Sequence, residues 1–346
     1  AGSHEAAEEI GASALEDARE LGDIKLEAKA LLYPTMTSPG FGTELYERVQ
    51  EAYRLAVASG DVNLIGQAAY IRGSLGYVTG DPEAWTSEMG DLYQVVEQTD
   101  EPFHRVALHG LLCSRAFTKG EYEQALGHVD AVFEMAEHFD DDPIVGMEGA
   151  QRFMINRETG LDDIRPFITG DRSAEPGSWP LGLLSIYTEL GMRDVASELL
   201  DELMATESSD QVVARFQGAS AAFLSEAVAF TGDRAHAEKL YELLDRRSGT
   251  NLIWGHFVMV FGSADRYLGM LADVLGRDAS EHFDAALEMD ASMGSTQHRA
   301  ETLARYSVHL RKTDERRALR LAAEANDLGR LMGSSRICRI AEHHDD

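Results

Sequence analysis

The side chains in this 346-residue chain with most reach into chemistry are its histidines and its two cysteines. His104 and His109 are five apart and Glu134 and His138 four apart, so only the second pair shares a helical face. Two ligands on one face do not make a zinc site, and no HExxH run occurs. Cys113 and Cys338 are far apart, with no CxxC, and read as reduced structural thiols of a cytoplasmic protein. His343 and His344 beside two aspartates could catch a stray metal ion, but read as part of a disordered tail over 343–346. No serine lies in a GxSxG turn, and Asp140 to Asp142 lack the alternating spacing and closing glutamate of a calcium loop. No acid, base and nucleophile converge. The expectation is a protein that is not an enzyme and holds no metal or cofactor.

Charge narrows the partners. Sixty Asp and Glu against 31 Lys and Arg give a net charge of -29, which repels a phosphate backbone. Nucleic acid is therefore excluded as a partner of the surface as a whole. The most apolar stretch, Leu252 to Ala264, is broken by Gly255 and His256 and falls short of the roughly 20 residues a membrane helix needs.

The elements that must position any site repeat along the chain. Leu45, Trp85, Ala125 and Arg165 sit forty residues apart, and Ala196, Ala237, Ala279 and Ala318 continue the series. A period between roughly twenty and fifty residues with helical spacing inside it marks stacked helix pairs. In one unit, Val106, Leu108, Leu111, Leu112 and Ala116 line a helix ending at Lys119-Gly120; Ala125, Val129, Val132, Phe133 and Ala136 line the next, from Tyr122 to about Phe139. No sheet needs to be invoked. Helix breakers interrupt the pattern at Leu32 to Gly42 and at 168–180. Residues 1–4 read as a tag scar, and 5–342 as one helical-repeat domain.

These turns and small-residue positions resemble tetratricopeptide repeats, although the period is longer than the usual 34 or so. The resemblance implies an all-α, right-handed superhelical solenoid of about eight antiparallel helix pairs. A narrower likeness covers the last third: Gly262 to Gly276, His282-Phe-Asp-Ala-Ala-Leu-Glu288, Ala304-Arg-Tyr306, Arg320-Leu-Ala-Ala-Glu-Ala325 and Asp327-Leu-Gly329. It looks like the C-terminal helical-repeat region of large bacterial ATPase-containing regulators, some of them nucleotide cyclases and others transcriptional activators of the maltose-regulon type. The phosphate loop, cyclase stretch and DNA-binding helices of those regulators are missing here, so their chemistry does not carry over.

In tetratricopeptide solenoids the first helix of each pair lines the concave face. Projected here, that pattern places Tyr70, Tyr77, Phe117, Arg157, Arg266, Met270 and Asp273 on the inner face, with Ser74, Gly110, Ser114 and Met154 between them. Trp254 and Tyr267 lie nearby in sequence. The alternative is that the aromatics are core residues. Arg157 and Arg266, long cations in an acidic molecule, would meet a carboxylate or phosphate on a bound partner. The reading is a non-enzymatic regulatory module in bacterial signalling or transcription that binds a protein or peptide on its concave face. The alternative is a sensor that encloses a small molecule. Acids dominate Glu5 to Glu27 and arginines dominate Arg299 to Arg339. Such ends either pair head to tail in a homo-oligomer or have their basic helices neutralise acids on adjacent repeats.

Overall fold

The computed structural model describes residues 2–37, 43–99, 101–136, 142–161, 168, 179–205, 218–255 and 259–342. Eight helices come first: α1 (Gly2–Leu21), α2 (Ile24–Thr37), α3 (Thr43–Ser59), α4 (Val62–Thr79), α5 (Pro82–Gln98), α6 (Pro102–Lys119), α7 (Tyr122–Ala136) and α8 (Asp142–Thr159). After them run α9 (Pro180–Glu189), α10 (Arg193–Ala205), α11 (Ala219–Thr231) and α12 (Arg234–Asp245). A hairpin of β1 (Asn251–Trp254) and β2 (Met259–Ser263) precedes α13 (Ala264–Val274), α14 (Ser280–Ser292), α15 (Thr296–Leu310), α16 (Glu315–Met332) and α17 (Ser335–Glu342). The protein is therefore mostly helical, and among the described residues no helix is long and apolar enough to cross a membrane.

The turns show why the helices start and stop where they do. Gly80 and Gly232 end their helices in the left-handed region, at φ 74°, where a side chain is strained. The next residue caps the following helix: Asp81 accepts from the Glu83 and Ala84 amides, and Asp233 from that of His236. Such a cap is worth about 1 kcal/mol. At the repeat positions Ala125, Ala196, Ala237, Ala279 and Ala318 are buried, as small residues between crossing helices should be.

Packing follows the chain, and then crosses it. Successive helices pack on each other except α8 and α9, and so do the alternate pairs α2 and α4, α4 and α6, α9 and α11, α11 and α13, α13 and α15, and α15 and α17. In addition α6 touches α15, α8 touches α17, and α4 touches β1. Helices of the first half thus meet helices of the second, and one apolar core runs from Ala28 to Ala318.

Three expectations need correcting. Where no sheet is expected, β1 and β2 pair antiparallel: Asn251 with Ser263 and Trp254 with Met259, with a bulge between Leu252 and Ile253. Every residue of β2 is buried, so both faces are apolar and the alternation that reveals a strand is erased. Next, α2 runs on through Pro34 to Thr37, where an irregular connection was expected from Leu32. Pro34 fits against Gly11, where a Cβ would come within 2.3 Å of its ring, and Leu32 and Thr35 are buried. Finally, Phe133 is 46% exposed, outside the face that buries Val129 and Val132. The break at 168–180 lies outside the described residues except for Ile168, Trp179 and Pro180, and the tail over 343–346 lies wholly outside them. Gly2 to His4, read as a scar, belong to α1.

Two glycines test this packing. A Cβ on Gly76 would sit 2.5 Å from that of Ala84, while one on Gly90 meets nothing within 4 Å. Gly76→Ala should therefore cost about 1–3 kcal/mol in urea unfolding. Gly90→Ala should be neutral or up to about 1 kcal/mol stabilising.

Candidate functional site

Where the two halves meet, the inner helices contribute charge to an otherwise apolar centre. Arg157 and Glu158 lie in the last turn of α8, Glu189 ends α9, and Glu226 stands in the apolar helix α11. Arg266 opens α13, Glu301 and Arg305 lie on α15, and Arg336 lies on α17. Arg157 grips Glu226 with two bonds, Nη1 donating to Oε2 at 2.8 Å and Nη2 to Oε1 at 3.0 Å. Its Nη1 also donates to Ser185 Oγ at 3.0 Å.

Arg336, fully buried, joins four carboxylates from four helices. Its Nε donates to Glu189 at 2.5 Å, Nη1 to Glu158 at 3.2 Å and to Glu301 at 2.8 Å, and Nη2 to Glu226 at 3.0 Å. Arg339 supplies a second cation to Glu189. Arg266 Nη2 lies 3.3 Å from Glu301 and donates to the Tyr267 hydroxyl at 2.9 Å and to the Phe261 carbonyl.

Burial and charge set the protonation of this group. Burial alone would raise Glu189, but Arg336, Arg157 and Arg339 override it and hold its carboxyl down to about 2. Glu301 is likewise held well below the usual carboxylate range, burial being overcome by Arg266 and Arg336. Glu158 goes the other way: burial raises it, the pull of Arg336 does not compensate, and neighbouring Glu301 adds to the rise. Burial lowers Arg305, with Arg336 adding to it. Burial, aided by Arg266, pushes His298 down to about 3, so its ring is neutral.

The hairpin closes the centre from one side. Its Gly262, at φ 76°, passes so near that a Cβ would lie 2.7 Å from the His298 ring and 2.9 Å from Arg266 Nη1. Tyr77 holds the hairpin to α4, its hydroxyl accepting from the Gly262 amide at 3.2 Å and its carbonyl from Asn251 Nδ2 at 2.8 Å. At the hairpin's base Asp265 accepts from Ser248 Oγ at 2.9 Å and the Gly249 amide at 2.7 Å.

What remains is a cavity of about 10 Å³, room for a single water-sized species. It is walled by Phe117, Met154, Val260, Phe261 and Tyr267, with Arg157, Glu158, Arg266, Gln297, His298 and Glu301 as its polar lining. Three buried guanidinium nitrogens of that lining have no hydrogen-bond partner: Arg157 Nε and Arg266 Nε and Nη1. Leaving one such group unmet costs about 1–3 kcal/mol. Chemically, the cavity offers guanidinium groups, a neutral imidazole, the Gln297 amide and the carboxyls of Glu158 and Glu301 within apolar walls.

The structure brings Phe117, Arg157, Arg266 and Tyr267 together at this cavity and places Tyr77 against the hairpin beside it. Tyr70 is buried edge-on to Phe103, with centroids 5.9 Å apart, and Trp254 stacks on Trp179 at 4.7 Å. Met270 is buried, whereas Asp273 is exposed and accepts from His309 Nδ1 at 2.7 Å. The seven-residue stride from Arg266 to Asp273 runs past the covered part of α13, which ends at Ala272. The carboxylates expected on a partner, facing Arg157 and Arg266, belong to the chain itself. Sequence reasoning missed Glu158, Glu189, Glu226, Glu301, His298 and Arg336. One signal was present: Glu226 is the lone charge in Ala219–Thr231. Candidate metal ligands lie elsewhere: among the described residues Asp201, Asp233 and His236 form such a group. No family model matches the chain, and no curated protein sequence matches it either.

Two substitutions probe the centre. Arg336→Ala leaves buried carboxylates facing one another and should cost about 3–5 kcal/mol in chemical unfolding. His298 is neutral when folded and protonates near 6.5 when unfolded, so its contribution is present above that pH and lost as pH falls toward about 3. In that window the stability of His298→Gln should fall less steeply with acid than the parent's, by about 1.4 kcal/mol per pH unit.

Proposed function

We propose that this chain is a non-enzymatic, tetratricopeptide-like helical-repeat module that encloses a small ligand at its centre. In this reading the helix pairs wind as a right-handed superhelix of about eight units, closed by the contacts of α6 with α15 and α8 with α17. Its role is that of the sensing part of a bacterial regulator, as the likeness of its last third to such proteins suggests. The observation that carries the reading is the set of partnerless guanidinium nitrogens on Arg157 and Arg266, two residues that line one cavity. A purely structural ion-pair cluster has no need to leave three guanidinium N–H groups unmet.

The ligand class follows from the donors. Guanidinium N–H groups in apolar surroundings suit a carboxylate or another small anion. With Glu158 raised toward its neutral form, and Arg305 and Arg339 adding positive charge nearby, the entering charge does not meet a net negative field. A ligand larger than one water-sized species needs the hairpin or the α8–α17 contact to move aside, which would couple occupancy to the shape of the whole chain.

A protein partner is the second reading, and a different surface favours it. Ile10, Leu21, Leu26 and Tyr33 on α1 and α2 are between 44% and 73% exposed, an apolar face suited to docking. A peptide laid along an open concave face would have to part the inner helices first.

Thermal unfolding in sodium chloride, formate and acetate at equal ionic strength tests the enclosed-ligand reading. One anion should raise the melting temperature of the parent above the others, and Arg266→Gln should remove that difference. A ligand at about a hundred times its Kd adds about 2.7 kcal/mol. Identical anion ranking in parent and variant would overturn the reading.

A further inference from the structure

The geometry points to a divalent-metal site on the outer surface, and we propose that His236 and Asp201, from two different helices, ligate the ion with water or a small anion completing its shell, while Asp233 orients the imidazole. The three residues come from two neighbouring helix pairs: Asp201 from α10, Asp233 from the cap of α12, and His236 from its first turn. Their ligating atoms all lie within 4.8 Å of one another.

The two faces of the His236 ring divide the work. Asp233 Oδ1 lies 3.2 Å from Nδ1, and the same carboxylate accepts from the His236 backbone amide at 2.9 Å, so ring and acid are locked to each other. A carboxylate on one ring nitrogen fixes the tautomer and leaves the lone pair on the other, the arrangement that metal-bound histidines use. That other nitrogen, Nε2, faces Asp201 Oδ1 at 3.4 Å. An ion about 2.1 Å from each atom spans such a gap at a bond angle close to tetrahedral.

The surroundings leave room for further ligands. Asp201 and His236 line an open cleft of about 410 Å³ together with Met204, Ala205, Ala235 and Lys239. Lys239 is drawn aside to the Met204 carbonyl at 3.4 Å, where its charge favours an anion as an additional ligand of the ion. One imidazole with carboxylate suits zinc, cobalt or nickel better than magnesium or calcium, which prefer oxygen alone. A net charge of -29 concentrates such cations around the whole molecule. Sequence spacing gives no sign of the site, because Asp201 stands in the preceding helix pair, 35 residues before His236.

The test is zinc titration by calorimetry of the full chain carrying His343→Gln and His344→Gln, so that the terminal histidines do not compete. One ion per chain should bind, with affinity falling at least tenfold on adding His236→Gln or Asp201→Asn. A loss of about 10–100-fold is expected for Asp233→Asn. Cobalt added to the same protein should broaden the His236 ring signals in the NMR spectrum first, a readout needing no change at the site. Absence of one-to-one binding, affinity indifferent to His236→Gln, or broadening centred on another histidine would overturn the proposal.

Discussion

One guanidinium holds the two halves of this protein to a single arrangement. Arg336 reaches Glu158, Glu189, Glu226 and Glu301, on α8, α9, α11 and α15, and is itself fully shielded from water. Taking such ions out of water costs several kcal/mol each, and their mutual attraction offsets this only when geometry is good and the remaining donors are met. Most are met here: Glu226 receives Arg157 as well as Arg336, and Ser334 donates to Glu158 at 2.9 Å. The cluster is therefore better understood as selecting a register than as adding net stability. An apolar centre of the same volume would tolerate sliding of α17 along α8; a four-way charged junction does not.

The hairpin depends on the same centre. Its backbone carbonyl at Phe261 is satisfied by Arg266 and by the Tyr267 hydroxyl, so the strand end is anchored by the side chains that border the cavity. Movement of the hairpin would unmake these bonds and expose β2, buried along its full length. Access to the cavity and hairpin position are in this way one mechanical variable.

Much of the helical framework was legible in the sequence, because a period near forty and the 3.6-residue apolar spacing report local packing. The helix end at Lys119 and the next helix start at Tyr122 match their observed bounds for that reason. The hairpin was not legible: burial on both faces of Met259–Ser263 leaves no alternation. At the centre, projecting the inner-helix pattern places Arg157 and Arg266, and both are buried. Their partners were invisible because Arg157 meets Glu226 across 69 residues and Arg336 meets Glu158 across 178. A repeat pattern carries information about neighbours in the series and none about which distant members touch.

Those long separations bear on how the chain acquires its structure. In an open array of helix pairs each unit gains its stability from the next, and folding can spread from any point. Here Glu158 and Glu189 remain without their main counter-ion until Arg336, 178 and 147 residues further on, has been made. During synthesis both carboxylates therefore wait for this partner while the chain between them and Arg336 is made. The same dependence welds the repeats into one cooperative unit, so that loss of α17 undoes contacts on α8 and α9 rather than fraying a single end.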